Sequence, residues 1–511
     1  MDNSSWKGHL SQWESFLKIR KDRTEEDVLT HLQIYRQLKA LTNVELGAVV
    51  NPKLLSEFIN PTEITKVSGN QQFFFPFLNQ AQKQAVNTSL EDNVLTLIQG
   101  PPGTGKTQVI AEICLQYYVR NPKIRILVCS QTHVAVNNLL SRVADYCLKR
   151  KRNNNPFSEL TLLRIKDKEG EEAISDYLPQ SIIDKYQTWI NRTCRDENIR
   201  RIIHQEFSGY EGNESSGIRD KSIEKALALS TNIVGMTCNR VGAYDFSSQL
   251  EKFDVVIIDE VCKSTLPEIL LPICIAEKAI LVGDPKQLPP VFCTEELNII
   301  NNDIEDCHLN EYFHIDWLFS TCSNTVLLDT QYRMTKTIGK MISEVFYDGR
   351  LKTGRSQEGT NGIRWIDYVP SGSSMIEEVN SEGKHLIYNY TECDYALSAL
   401  KHLDRLCSSN TVVAVISPYK GQVELINRKL DSMGIAFNNL KIKVNTVDSF
   451  QGKECDFVIF CITRTEGPGK FWTDRRRLNV ALSRAKNGII IIGSKMYAVK
   501  NSLLAEIASY C

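Results

Sequence analysis

What this chain of 511 residues lacks narrows its reading first. No stretch approaches the roughly eighteen uninterrupted apolar residues of a membrane span, and the opening Met1-Asp2-Asn3-Ser4-Ser5-Trp6 has no basic stretch leading into an apolar one. A soluble, intracellular protein without a membrane partner is expected, cytoplasmic or, in a eukaryote, nuclear. An excess of one charge is missing too, since 60 Lys and Arg face 61 Asp and Glu. That argues against coating nucleic acid through a global positive field, so any strand must be held in a local groove. The 15 cysteines include no C-x-x-C pair. Most are expected to be small buried hydrophobes in a reducing compartment. The nearest approach to a metal group, Cys293, Cys307, His308, His314 and Cys322, matches no zinc spacing.

What is present is a recurrence of short apolar runs with helix-like sequence between them: Val94 to Ile98, Ile124 to Cys129, Ile233 to Met236, Val255 to Ile258 and Ala279 to Val282. A second set follows at Val326 to Leu328, Val412 to Ile416, Phe457 to Ile462 and Ile489 to Ile492. Continuous rather than alternating runs mark strands covered on both faces, and the alternation with helices marks parallel βαβ units. The expected class is α/β, with two doubly wound parallel-sheet domains. The chain is divided accordingly into a short helical N-terminal prefix (1–75), a first domain (76–322) and a second (323–511). Texture changes at Cys147 to Ser230, where Lys149-Arg150-Lys151-Arg152 leads into Asn153-Asn154-Asn155-Pro156 and charged helical sequence. This reads as a helical insertion at about 147–230 in the first domain. The Gly- and Ser-rich stretch from Gly354 to Gly383 reads as a surface loop with one short strand.

The strongest local signal is Gly100-Pro101-Pro102-Gly103-Thr104-Gly105-Lys106-Thr107, between an apolar strand and the helical run beginning Gln108-Val109-Ile110. Backbone amides of such a loop cradle phosphates, the lysine neutralises the β and γ groups, and the threonine hydroxyl holds Mg2+. Val255-Val256-Ile257-Ile258-Asp259-Glu260 ends a later strand with two carboxylates. Strand ends of a doubly wound sheet converge beside the phosphate loop. Asp259 then binds Mg2+ and Glu260 orients and deprotonates the attacking water, which points to ATP hydrolysis.

Further motifs carry a resemblance. Leu78-Asn79-Gln80-Ala81-Gln82-Lys83-Gln84-Ala85-Val86 resembles the Q motif of superfamily-1 helicases, and Val282-Gly283-Asp284-Pro285-Lys286-Gln287-Leu288-Pro289-Pro290 their motif III. Leu328-Asp329-Thr330-Gln331-Tyr332-Arg333-Met334 resembles the Q-Y-R-M signature. Val447-Asp448-Ser449-Phe450-Gln451-Gly452-Lys453-Glu454 is similar to motif V, and Arg477-Leu478-Asn479-Val480-Ala481-Leu482-Ser483-Arg484-Ala485 to motif VI. The motifs stand in family order, and the nearest branch is the Upf-like group of RNA and DNA helicases.

That resemblance implies two RecA-like domains with ATP between them. It implies Gln82 as the reader of adenine, Tyr332 as its stacking partner and Glu454 as an acceptor for ribose hydroxyls. Gln287 becomes the γ-phosphate sensor, and Arg333 and Arg484 the arginine fingers. In this chain Val261-Cys262-Lys263 stands where the family usually places a small residue, a variable one and glutamine, and Pro285 replaces a basic or polar residue.

For the strand, Gln131-Thr132-His133-Val134-Ala135-Val136-Asn137 resembles motif Ia, and Thr237-Cys238 falls in the next nucleic-acid motif. Ser417-Pro418-Tyr419 and Thr446 to Ser449 match strand-touching positions of the second domain. Thr132, His133, Thr237, Pro418, Tyr419, Thr446 and Ser449 are the candidate contacts. Small polar side chains and helix-starting amides suit phosphates, which position a strand without reading its bases. Tyr419 either stacks on a base or packs. Lys149 to Arg152 serve as phosphate contacts, a nuclear address or a solvated face. The reading is an ATP-dependent helicase or translocase on single-stranded RNA or DNA, moving 5′ to 3′. The alternative is a nucleotide-gated binding or remodelling subunit with little or no duplex unwinding. The prefix and the insertion are candidate docking sites for a protein partner, and the prefix is too short and helical for the β-barrel of many Upf-like helicases.

Overall fold

Apolar side chains on both faces of a segment make it stable only where its backbone is paired on both sides and its faces are covered. In the computed structural model that condition is met by the inner strands of one parallel sheet, which is built of seven segments. They are β1 (Leu95–Gln99), β2 (Ile126–Ser130), β3 (Leu162–Arg164), β4 (Ile233–Thr237), β5 (Phe253–Asp259), β6 (Ala276–Gly283) and β7 (Val326–Leu327), in the order β3-β4-β2-β5-β6-β1-β7. The structure describes residues 3–24, 27–62, 72–149, 155–166, 172–208, 210, 218–244, 246, 251–322, 325–355, 362–372, 374–379, 385–434, 437–450, 454–467, 469 and 474–511. Of the motif residues named above, Arg150 to Asn154 and Gln451 to Lys453 lie outside these.

Register sets the chemistry. Ser130 pairs with both Thr237 and Asp259, and Gln99 pairs with Gly283, so the carboxyl ends of β1, β2, β4, β5 and β6 lie along one edge. Val326–Leu327, which the sequence reading assigned to the second set of strands, instead closes this first sheet beside β1. The region read as a helical insertion also supplies β3, whose three residues pair with β4. Three residues are too few to show a period.

The N-terminal residues fold as α1 (Asn3–Arg23), α2 (Val28–Glu45) and α3 (Pro52–Ile59). Asp27 caps α2 by accepting from the amides of Leu29 and Thr30, and Asn51 caps α3 ahead of Pro52. Trp6, Trp13, Phe16, Ile34 and Phe58 from these helices share one apolar core with Leu97 of β1 and Val256 of β5. The prefix thus packs as part of the first unit. The helices that frame the sites are α4 (Gln80–Leu90), α5 (Lys106–Arg120) and α6 (His133–Lys149).

The later residues build a second parallel sheet. After the short pair β8 (Thr330–Gln331) and β9 (Lys352–Thr353) come β10 (Ile363–Ile366), β11 (Met375–Val379), β12 (His385–Asn389), β13 (Thr411–Ser417), β14 (Leu440–Thr446), β15 (Cys455–Cys461) and β16 (Ala485–Ile492). The sheet order is β10-β16-β15-β13-β14, and β11 with β12 forms an antiparallel hairpin. The stretch read as a loop with one short strand contains β10 and β11. Contacts divide the chain into one unit of residues 1–99, 106–285 and 289–327, and another of 100–105, 286–288 and 328–511. No described helix is long and apolar enough to cross a membrane.

Candidate nucleotide and nucleic-acid sites

The phosphate loop turns between β1 and α5 on two left-handed glycines, Gly103 (φ +75°) and Gly105 (φ +79°). Side chains rarely adopt that backbone, which is the local reason for glycine at both positions. Gly100, Pro101, Pro102 and Thr104 are buried, and the Thr104 hydroxyl donates to the Pro101 carbonyl at 2.8 Å, closing the turn. Lys106 opens α5, and Thr107 follows half-buried on its first turn.

In the first unit β5 delivers Asp259 into a buried position, and Glu260 leaves the strand in a left-handed conformation (φ +55°). A glutamate held there is uncommon and costs energy, as residues at working sites often do. The Glu260 amide donates to Asp259 Oδ1 at 2.9 Å. Lys106 Nζ lies 3.7 Å from Glu260 Oε1, and Lys263 Nζ lies 3.1 Å from Glu260 Oε2. Burial and the like charge of Glu260 push Asp259 up to about 6, against the opposing pull of Lys106. Lys263, singled out from sequence only as a departure from the family pattern, therefore lies on the carboxylate assigned as the base.

Gln82, the expected adenine reader, is buried and serves α4 as a cap. Its Oε1 accepts from the Asn79 amide at 2.8 Å, while the Gln82 amide donates to Asn79 Oδ1. In the second unit the Tyr332 amide donates to the Gly103 carbonyl at 2.9 Å, and Tyr332 is 44% exposed. Arg333 is engaged by Glu454, Nη2 to Oε1 at 2.6 Å, and by the Ser483 carbonyl at 3.0 Å. Lys486 reaches the other Glu454 oxygen at 3.1 Å. Burial alone would raise Glu454, but Arg333 and Lys486 hold it below the usual carboxylate range. Arg484 is buried, donating to the Val480 carbonyl at 2.9 Å and to Gln287 Oε1 at 3.2 Å. The structure thus brings together Lys106 with Glu260, Arg333 with Glu454, and Arg484 with Gln287.

Thr132 caps α6, its hydroxyl accepting from the Ala135 amide, and Thr237 caps the turn Cys238–Val241 by accepting from Arg240. His133 is exposed at the start of α6, and its Nδ1 lies 3.0 Å from Arg164 Nη2. In the second unit Pro418 is half-buried, and the Tyr419 hydroxyl accepts from Arg464 Nε at 3.1 Å beneath the same guanidinium. Thr446 ends β14 and Ser449 is exposed on the turn that follows. Sequence reasoning missed Arg164 and Arg464. Arg464 follows Thr463, a buried β-branched residue at φ +72° held by Glu392 and Ser417.

The set Cys293, Cys307, His308, His314 and Cys322 does not assemble. His314 is buried with Nε2 2.9 Å from the Phe58 carbonyl, and among the described residues no group of three or more such side chains is placed to hold a metal ion.

Two family models, each described as an AAA domain, match residues 77–217 with 187–295, and 314–496. The DNA polymerase alpha-associated DNA helicase A of Saccharomyces cerevisiae is 26% identical over 92% of this chain and 72% of its own length. A Regulator of nonsense transcripts 1 homolog of Neurospora crassa is 29% identical over 92% of this chain, which spans 42% of that relative. Among solved structures, the Arterivirus nonstructural protein 10 helicase is 14% identical, with a TM-score of 0.37, covering 81% of this chain and 61% of its own. The chain belongs to the superfamily-1 helicases, a class of ATP-hydrolysing enzymes with two RecA-like domains, and within them to the Upf-like branch.

Proposed function

We propose that the chain hydrolyses ATP with Mg2+ and uses the energy to move 5′ to 3′ along single-stranded RNA or DNA. The observation that carries the reading is the cluster of Lys106, Asp259 and Glu260 at the carboxyl edge of the first sheet, beside a loop turned on Gly103 and Gly105. Asp259 is a buried carboxylate pushed up by burial and by its neighbour's charge, and such a group gains from a divalent cation. Thr107 and Asp259 are the residues to hold Mg2+, which supplies charge neutralisation on the phosphates. Glu260 takes the proton of the attacking water. Arg333 and Arg484 act where negative charge spreads over the γ-phosphate, Arg333 exchanging Glu454 for phosphate, and Gln287 links that phosphate to Arg484.

Gln82, Tyr332 and Glu454 are proposed for adenine and ribose. For Gln82 the proposal requires the side chain to serve the base alongside its cap. The strand face is proposed from Thr132, His133 and Thr237 in the first unit, and Pro418, Tyr419, Thr446 and Ser449 in the second. Contacts of this kind are aimed at phosphates, so affinity falls steadily with salt and shows little base preference. The test is hydrolysis with single-stranded RNA and single-stranded DNA of equal length, side by side, followed by displacement of streptavidin from each end. The reading expects stimulation by at least one polymer and faster displacement from the 3′ end. Hydrolysis indifferent to both polymers would overturn the motor.

A further inference from the structure

Arg164 is among the largest side chains in the molecule with no exposed surface. It comes from β3, inside the region that sequence alone reads as a helical insertion. Its Nε donates to Asn137 Oδ1 at 2.7 Å, its Nη1 to the carbonyls of Ile165 and Gly235, the latter at 3.2 Å, and its Nη2 meets His133 Nδ1 at 3.0 Å. Asn137 and His133 lie one turn apart on α6, and Gly235 lies on β4, two residues before Thr237. One planar group therefore ties the first turn of α6 to the strand that ends at the next nucleic-acid motif.

A guanidinium has only donors. His133 Nδ1 must then accept, and the ring proton sits on Nε2. His133 is exposed where Thr132 caps α6, so the arrangement presents a donor beside the first amides of a helix.

We propose that Arg164 is a positioning residue for the nucleic-acid face: it fixes the tautomer and ring orientation of His133 so that Nε2–H donates to a backbone phosphate of the bound strand. The inference rests on the strand-binding reading above and adds what that reading lacked, a uniquely oriented uncharged donor. A lysine at 164 has one ammonium and no fork, so it does not hold Asn137, two carbonyls and His133 together.

The test uses the full chain in two measurements. In the protein with 15N-labelled histidine, long-range proton–nitrogen correlation, with the His133 signal identified by its loss in His133→Gln, is expected to show the proton on Nε2. A proton on Nδ1 overturns the proposal, and this measurement needs no altered Arg164. Binding is then read with fluorescent single-stranded 20-mers of uridine and of thymidine, across salt. His133→Ala is expected to weaken binding about 2- to 10-fold, the range of one net hydrogen bond. The salt slope stays unchanged, because a neutral donor releases no counterion. Arg164→Lys, matched in melting to the parent, weakens binding similarly, and the double variant loses no more than His133→Ala alone. Additive losses, or a salt slope reduced by about 0.9, overturn the proposal. A parent that binds neither oligonucleotide sinks the strand-binding reading and this inference together. A parent that binds, with His133→Ala binding equally well, sinks this inference alone.

Discussion

Glu224 of the first unit and Glu392 of the second, both fully buried, meet the cost of burial in opposite ways. Glu224 in the first unit is charge-paired: Arg240 Nη2 lies 2.9 Å from its Oε2, and the Tyr210 hydroxyl donates to Oε1 at 2.7 Å with Tyr244 donating as well. Glu392 in the second unit is served by neutral donors, the Thr463 amide at 2.7 Å and the Tyr368 hydroxyl at 3.0 Å. Burial pushes it up to about 8. A carboxylate taken out of water either recruits a cation or keeps its proton, and each solution fails differently.

The largest expected effect is at the charged pair. Glu224→Gln leaves the Arg240 guanidinium, itself 1% exposed, without its carboxylate. Breaking such a pair from one side costs about 3–5 kcal/mol, so the first unit should melt at a clearly lower temperature in calorimetry. A shift no larger than that of an exposed control would break the comparison at once.

Next is the pH dependence, which runs opposite ways for two buried histidines of the first unit and for Glu392 of the second. Burial lowers His9 and His314 of the first unit's aromatic core from 6.5 to about 4. Between those values the unfolded chain binds more protons, so their contribution to stability is present above about 6.5 and is lost as pH falls towards 4. Glu392 is raised from 4.5 to about 8, so the folded state binds the extra proton and its contribution is lost as pH rises from 4.5 to 8. Each group gives a slope of at most about 1.4 kcal/mol per pH unit. Denaturation across pH, comparing the parent with Glu392→Gln, should show the alkaline decline flattened in the variant. An unaltered decline contradicts a protonated Glu392.

The smallest effect sharpens the same point. At pH 6 Glu392→Gln replaces a neutral acid by a neutral amide of the same shape, and the expected loss is about 1 kcal/mol or less, read as a small change in denaturant midpoint. A loss as large as that of Glu224→Gln would mean that Glu392 is buried as an anion.

How far the sequence reading reached follows from distance along the chain. The phosphate loop was legible because strand, glycine turn and helix are contiguous, and so was Asp259-Glu260, because a carboxylate pair ending an apolar strand is a local pattern. β14 was missed because it alternates: Lys441 and Lys443 are exposed on this edge strand, while the search was for continuous apolar runs. Arg333 and Glu454 were assigned separate roles at the nucleotide, yet they pair with each other across 121 residues of sequence, which no spacing rule announces. Arg164 lay hidden for a similar reason, in a short strand within charged helical sequence, 31 residues from His133. Lys263 was visible as a departure, but its contact with Glu260 needed the left-handed turn that aims both side chains together.

The central claim is that the cluster at the end of β5 carries out hydrolysis, and one substitution tests it most directly. Glu260→Gln keeps the shape and removes the base, so ATP binding, measured with a fluorescent analogue in the presence of Mg2+, should remain near the parent value. Nucleic-acid-stimulated turnover should fall about 100-fold or more. Turnover within a few-fold of the parent, at matched melting temperature, would contradict the assignment of Glu260 as the catalytic base.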